Sequence, residues 1–391
     1  MKKIIFITGV TGFLGGEMLV MLSKMTEIEK IFCLVRAADL EAAWLRLDHV
    51  FDFHGDFLDS KKVIPVVGDM VSDDLGEALV AHPELLEVNT VIHAAANTSF
   101  SSRDNDLVEK VNVGGTQQIL AWASKLPGLK TFVYVGTASI CGKDIQGRVV
   151  HEDESPNEGA RHLVRYTQTK MTGELMAREA IPKEKLLVVR PSVIMGDSRG
   201  IVPRSFVIMW AFAAGKLLRV VPMNEEDELD IIPIDFAAEA IIRLTMSSHR
   251  RYDTYHISAG AKSKTTMASI MSAITAGSDG LPVKFLPYES ISKLRSWARG
   301  KLDEEDPFYL ENSLYFNYME YILGKKGNLR MLLAGLDAYY KFGELSQVFD
   351  NARLLADTGI ELSQPAHVYM GNPGVREVFS QINIFAEAIA P

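Results

Sequence analysis

The stretch KIIFITGVTGFLGGEML, residues 3–19, constrains the chain more than any other. A near-continuous apolar run breaks at Gly9, and glycines recur at Gly12 and Gly15 as helical periodicity begins. The first glycine permits a tight turn, the second lets backbone approach a pyrophosphate, and the third lets helix and strand pack closely. A phosphate then sits at the positive helix end, where free N–H groups point at it. A glycine triplet alone is weak evidence; its placement between a strand and a helix gives it weight. The expectation is a nucleotide-binding βα unit at the start of the chain.

The same alternation continues to about residue 190. KIFCLVR (30–36), KVIPVVGD (62–69), TVIHAAA (90–96), TFVYVGT (131–137) and KLLVVRP (185–191) are short, apolar and rich in Val and Ile, as parallel strands covered on both faces should be. Helix-like segments such as GGTQQILAWASKL separate them, which implies an α/β fold, a doubly wound parallel sheet of Rossmann type. After residue 191 come a turn-rich loop, RPSVIMGDSRG, the helix-like SFVIMWAFAAGKL (205–217), LDIIPIDFAAEAIIRLT and a strand, TYHISAG. From about 261 the chain reads as mostly helical. The expected division is a dinucleotide-binding domain at 1–190 plus 231–260, with a smaller, mostly helical C-terminal substrate lobe at 191–230 plus 261–391.

With 47% hydrophobic and 23% charged residues the chain can bury a sizeable core. A net charge of −9 argues against nucleic acid as the main partner. Cys33 and Cys141 lie in apolar, strand-like surroundings, so a disulfide framework is not expected and a reducing cytoplasm fits. The N-terminus runs straight into a strand without a secretory signal, and no apolar run reaches a membrane span. Peripheral membrane contact stays open, and no metal site is read.

The end of the second strand speaks to the nucleotide. A carboxylate there would hydrogen-bond ribose hydroxyls, but LVRAADL offers Arg36, with Asp39 the nearest acid. A guanidinium pairs with a 2′-phosphate through a fork of donors, so NADP is expected over NAD. Asp69, ending the third strand, can accept from an adenine amino group or cap a turn. Ala94, Ala95 and Ala96 follow the fourth strand and leave bare backbone for a cofactor.

VRYTQTKMTGE, residues 164–174, places Tyr166 and Lys170 on one helix face. Twelve tyrosines and 41 basic residues make such a spacing easy to meet by chance, and YILGK (Tyr321, Lys325) meets it too. Context separates them. Upstream of Tyr166, TFVYVGTASICG ends in the hydroxyls Thr137 and Ser139, at the sheet edge where ligands bind. Tyr166 is expected to protonate a carbonyl oxygen as hydride arrives, with Thr137 holding that oxygen and the Lys170 ammonium lowering the phenol pKa. YILGK has no such hydroxyl upstream and reads as an aromatic on a core face and a lysine in solvent.

Taken in order, TGVTGFLG, GDM, HAAA, NVGGT, VGTASICG, YTQTK and VVRPSVIMGDSRG resemble the extended short-chain dehydrogenase/reductase superfamily over residues 3–260. HAAANTSF, the LVR of the second strand, GTAS and DIIPIDFAAEAI are most similar to its male-sterility-type branch, fatty acyl-CoA reductases and thioester reductase domains. QVFDNARLLADTGI (347–360) is loosely similar to the C-terminal part of such reductases. The resemblance implies NADPH contacts at Thr8, Gly9, Thr11, Gly12, Phe13, Leu14, Gly15, Arg36, Asp69, Met70, Ala94, Ala95, Ala96, Asn112, Tyr166, Lys170, Pro191 and Val193. Aligned on Gly142, it puts Thr137 at the catalytic Ser/Thr position and makes Ser139 the lesser candidate; Cys141 stands where the family has tyrosine and reads as a packing residue.

That branch reduces acyl thioesters to an aldehyde and, with a second hydride, to an alcohol. The implied enzyme is therefore an NADPH-dependent oxidoreductase acting on an acyl thioester, carried on CoA or on a separate acyl carrier protein because no carrier domain precedes the first strand. Lys284, Lys293, Arg295, Arg299 and Lys301 could receive such an anionic partner, or form a solvated helix face. The alternatives are a hydroxysteroid-like or nucleotide-sugar substrate on the same fold, and a non-catalytic NADP-sensing regulator. Arg36 speaks against an NAD-type epimerase. Ala138 and Ser139 cannot supply the acid pair a dehydratase needs.

Overall fold

The computed structural model describes residues 2–145, 147–201, 208–324 and 326–389. Seven strands form one parallel sheet: β1 (Lys3–Thr8), β2 (Ile28–Val35), β3 (Val63–Val67), β4 (Thr90–His93), β5 (Thr131–Val135), β6 (Leu186–Pro191) and β7 (Thr254–Ile257). Their order is β7-β6-β5-β4-β1-β2-β3, so the chain winds outward from β1 in one direction and then from β4 in the other. The reversal between β1 and β4 opens a crevice beyond their carboxyl ends, where ligands bind in such sheets.

The helices that matter to the site are α1 (Phe13–Ser23), α2 (Leu40–Phe53), α3 (Thr116–Ala123), α4 (Arg165–Ala180), α5 (Met209–Leu218), α6 (Ile234–Met246), α7 (Met267–Thr275), α8 (Pro307–Leu323), α9 (Lys326–Gly343) and α10 (Ala352–Thr358). Alternation along β1 explains the apolar strands. Ile5 and Ile7 enter one core with α1 and α6, while Phe6 enters the opposite core, its ring 4.6 Å from Trp122 of α3. A sheet covered on both faces favours apolar side chains, hence the near-continuous apolar runs, and its polar exceptions such as Thr8, His93 and Arg190 meet buried partners.

A third core belongs to the helical lobe and joins Trp210, Phe212, Met271, Phe316, Leu332 and Leu336. The expected helix from residue 205 falls partly outside the described residues; its described part is α5. The C-terminal stretch does not stay within that lobe. In α10, Leu354 enters the sheet-side core, and Tyr255 of β7 donates to Asp357 at 2.6 Å. The buried Asp230 carboxylate accepts from the Ala259 amide at 2.8 Å and the Phe349 amide at 3.0 Å, stapling the end of β7 to the segment leading into α10. Burial pushes its pKa up, and these backbone donors oppose the shift.

One buried ion pair sets α4 against the sheet. Arg190 of β6, 2% exposed, binds Glu174 of α4 at 2.9 and 2.7 Å, and Arg178 adds a second guanidinium at 2.7 Å. Removing one partner of a buried pair strands the other charge. Glu174→Ala is therefore expected to cost about 3–5 kcal/mol of folding stability, measured by urea denaturation.

Candidate active site

Beyond β1 the chain turns at Gly9, whose φ of +79° lies in the left-handed region. A Cβ there would also stand 2.8 Å from the Ala95 amide nitrogen and 2.9 Å from the Ala94 carbonyl carbon. At Gly15 a Cβ would lie 2.1 Å from the Gly9 oxygen, so the start of α1 packs directly on the turn. Gly12 caps α1 without a side chain, and the first turn holds no acid. The N–H groups there remain available to an anion, as a dinucleotide pyrophosphate requires. The residues present fit that group.

Thr11, Phe13 and Leu14 are half-buried at the head of α1, and Arg36 is exposed just past β2. Asp39 is committed elsewhere: it caps α2 by accepting from the Ala42 amide at 2.8 Å. Arg46 of α2 was not read from the sequence. Its guanidinium donates to the Arg36 carbonyl and, at 3.3 Å, to Thr11 Oγ1, so a second cation reaches the glycine turn. Its signal was faint, a lone arginine two helical turns past a capping Asp. Asp69 accepts from the Val71 amide at 3.2 Å, closing a turn beside the buried Met70.

His93, at the end of β4, is the other residue the sequence did not single out. Burial drives its pKa down to about 3, so the ring is neutral. Thr116 Oγ1 donates to the Asn112 carbonyl at 2.6 Å and must accept from His93 Nε2 at 2.9 Å. Nδ1 is then the acceptor, taking the Thr8 hydroxyl at 2.9 Å, and Thr8 Oγ1 in turn accepts from the Ala95 amide at 3.0 Å. The chain continues through Asn112, which holds Asn97 at both backbone atoms (2.8 and 3.0 Å) and donates to Thr169 at 3.0 Å. Thr169 donates to the Tyr166 carbonyl at 2.9 Å. One polar chain thus runs from the glycine turn to the backbone of Tyr166.

Tyr166 and Lys170 lie on one face of α4, as expected. Burial pushes the Tyr166 phenol up to about 12, and the Thr137 hydroxyl beside it pulls the other way. Lys170 is 2% exposed and pushed down to about 7 by burial, with Glu174 opposing. Its ammonium sits 4.7 Å from the centroid of the Tyr134 ring, whose hydroxyl donates to the Lys170 carbonyl at 3.0 Å. Thr137 Oγ1 also donates to the Pro191 carbonyl at 3.4 Å. Cys141 packs with Ala138, Val150 and Phe349, its thiol pushed up to about 12 by burial.

Next to Tyr166 opens a largely apolar cleft of about 870 Å³, counting its open mouth. Val193, Phe212, Met223 and Met271 line it together with Tyr340 and Phe342 of α9. Phe100 joins cleft and site: its ring centroid is 6.2 Å from that of Tyr166 and 5.1 Å from that of Tyr339, on which it stacks. The basic residues of the lobe are mostly paired, Lys284 with Glu311, Lys293 with Asp306 and Arg295 with Asp337. Tyr321 does not pack in a core but is 86% exposed, and Lys325 lies outside the described residues. Among the described residues no helix is long and apolar enough to cross a membrane, and no group of acidic, His or Cys side chains is placed to hold a metal.

A parallel sheet with this order, a glycine turn at its switch point and a Tyr–Lys pair at its carboxyl edge define an NAD(P)-binding domain of the extended short-chain dehydrogenase/reductase class. Within that class the chain belongs to the male sterility protein family, whose model matches residues 7–241. It is similar to a linear gramicidin synthase from Brevibacillus parabrevis, 30% identical over 64% of this chain and 5% of that one. It is also similar to fatty acyl-CoA reductase 2 of Homo sapiens, 26% identical over 66% of this chain and 58% of that one. The chain thus covers less than two thirds of either relative. In fold it matches the terminal R domain from the myxalamid PKS-NRPS biosynthetic pathway, with a TM-score of 0.73 at 22% identity over 97% of this chain and 91% of that one.

The buried Lys170 makes stability depend on pH. Its folded pKa of about 7 lies below the ordinary 10.5, so the unfolded chain binds more protons between those values and wild-type stability rises with pH across that window. Lys170→Met removes the rise. Urea denaturation without nucleotide is expected to show the variant's relative stability highest at and below pH 7 and declining toward pH 10.5.

Proposed function

We propose that the chain is an NADPH-dependent reductase of acyl thioesters, releasing an aldehyde and, after a second reduction, an alcohol. The observation that carries this reading is the apolar cleft that meets Tyr166 at Phe100. Such a mostly apolar wall suits an acyl chain, and its polar members Glu228, Asp230 and Gln347 are already engaged by Lys264, by the Ala259 and Phe349 amides and by the Gly142 carbonyl, which leaves few partners for the hydroxyls of a nucleotide sugar. The names of the relatives, a fatty acyl-CoA reductase among them, support the same substrate class.

NADPH, when bound, supplies the hydride. Gly9, Gly12, Gly15 and the alanines after β4 form its cradle, with Thr8 and Asn112 fixing that cradle from behind. Asp69, Met70, Pro191 and Val193 complete its expected surroundings, and Arg36 and Arg46 offer positive charge for a 2′-phosphate. Tyr166 is the general acid: as the carbonyl carbon is reduced, its phenolic proton passes to the carbonyl oxygen and a hemithioacetal forms. The carbon–sulfur bond then breaks with its electron pair leaving on sulfur. The hemithioacetal hydroxyl gives up its proton, so that aldehyde and thiol result. Thr137 holds the oxygen beside Tyr166, and Lys170 tunes the phenol from the same helix face. The thioester is carried on CoA or on an acyl carrier protein.

The test is consumption of NADPH with a panel of acyl-CoA and acyl-carrier-protein thioesters, read at the nicotinamide absorbance. Turnover with sterols or nucleotide sugars but not with thioesters would overturn the reading. Tyr166→Phe is expected to lower kcat about 10³-fold with NADPH affinity within about twofold of wild type. Arg36→Asp is expected to weaken NADPH binding far more than NADH binding, roughly tenfold or more, as measured by nucleotide fluorescence titration.

A further inference from the structure

The helical lobe holds three cations that face no acid. Lys216 and Arg219 lie at the end of α5, and Arg376 lies on the helix Pro373–Gln381. Lys216 donates to the Arg376 carbonyl at 3.1 Å and to Ser380 Oγ at 3.0 Å, and Arg376 donates to the Ala276 carbonyl at 2.6 Å. Arg219 Nη2 donates to Ser278 Oγ at 2.9 Å and to the Asp279 carbonyl at 2.6 Å. Among the described residues no carboxylate stands within ion-pair distance of any of the three, although the chain carries a net charge of −9. They share one neighbourhood: burial pushes the Lys216 pKa down, and the charges of Arg219 and Arg376 push it the same way. Arg219 is the most enclosed, at 5% exposure, and its φ of +59° is one that helix ends ordinarily give to glycine. Its Nε is buried with no hydrogen-bond partner. Beside that atom lies Gly280, at a φ of +123°, where a Cβ would stand 3.2 Å from Nε and 3.1 Å from the Tyr318 hydroxyl of α8. An orphaned guanidinium N–H and a phenol thus converge on space that the glycine leaves open. A buried charge without a counter-ion is costly, and an anion that meets it recovers that cost.

We propose that Arg219 and Tyr318 form a binding site for a phosphoryl group in the helical lobe, with Lys216 and Arg376 supplying positive potential around it. Charge selects the ligand class: three cations without a counter-ion suit a dianion better than a single carboxylate. The Arg219 Nε–H and the Tyr318 hydroxyl donate to its oxygens, and a guanidinium does so without giving up its proton. Inorganic phosphate and the phosphate esters of coenzyme A carry this chemistry alike. None of the four residues belongs to the glycine turn or lines the cleft, so the site stands apart from the crevice that takes the dinucleotide.

The experiment is calorimetric titration of the full chain with inorganic phosphate and, separately, with coenzyme A. Ionic strength is held fixed, and NADPH is present at saturation to fill the crevice. Wild type is expected to bind phosphate, Tyr318→Phe to bind it about tenfold more weakly, and Arg219→Met, which keeps the buried stem, to lose at least as much. Tyr318 is half-buried and makes no hydrogen bond among the described residues, so its phenylalanine variant keeps the test open if the arginine variant does not fold. Coenzyme A weakened by the same factor in Tyr318→Phe identifies a phosphate ester as the ligand; an effect confined to inorganic phosphate identifies the free anion. Both outcomes support the site. If neither titration distinguishes Tyr318→Phe from wild type, the proposal is overturned.

Discussion

A neutral imidazole ties the site together. His93 sits where β4 ends, fully buried, and burial forbids the charge that would let both ring nitrogens donate. With one donor and one acceptor it can join only a chain of fixed direction, and Thr116 and Thr8 supply that chain. Toward β1, Thr8 draws the Ala95 amide inward and brings the alanines against Gly9, which is why no Cβ fits there. Toward α3, Thr116 and Asn112 carry the constraint to the helix behind Tyr166. The nucleotide cradle and the proposed general acid are thus held by one set of hydrogen bonds. The links at His93, Thr116 and Thr169 are buried, so water cannot substitute cheaply for them.

The helix that carries Tyr166 makes an unusual bargain. Its face toward the protein holds Thr167, Thr169, Lys170 and Glu174, all nearly inaccessible. Burying charge is tolerable there because Glu174 meets Arg190 and Arg178, while Lys170 lies over the Tyr134 ring with its pKa pushed down to about 7. Gly173 lets the helix come this close: a Cβ there would lie 2.3 Å from the Tyr134 hydroxyl. Polar specificity stands in for hydrophobic burial along α4.

That substitution explains what could and could not be read from residues alone. The parallel sheet was legible because strands covered on both faces must be apolar, and the glycine turn because a tight turn against a helix admits nothing larger. α4 was legible only through its tyrosine and lysine, since its buried face is polar and mimics a solvated one. His93 and Arg46 stayed hidden for a different reason. The role of each depends on partners far away in sequence, Thr8 and Thr116 for the histidine and Thr11 for the arginine. Asp39, the nearest acid after β2, proved to be a helix cap, a task that local sequence does suggest. The lobe was the least legible part. Its helices bury aromatic and aliphatic residues against one another without a sheet to impose order, and α10 returns to the sheet where the composition still reads as lobe.

The Asp230 staple has a consequence for how such a protein can diverge. Because a buried carboxylate fixes Ala259 and Phe349 to each other, the sheet side and the cleft wall meet at a joint that involves none of the reacting groups. Side chains on α5, α7 and α9 can then be exchanged to reshape the cleft without disturbing the crevice between β1 and β4. Phe100 and Ser139 line the cleft from loops that follow β4 and β5, and Val193, just past β6, lines it as well. Inheritance of the chemistry and drift of the specificity can proceed along nearly separate sets of positions, with these few as the shared hinge of selection.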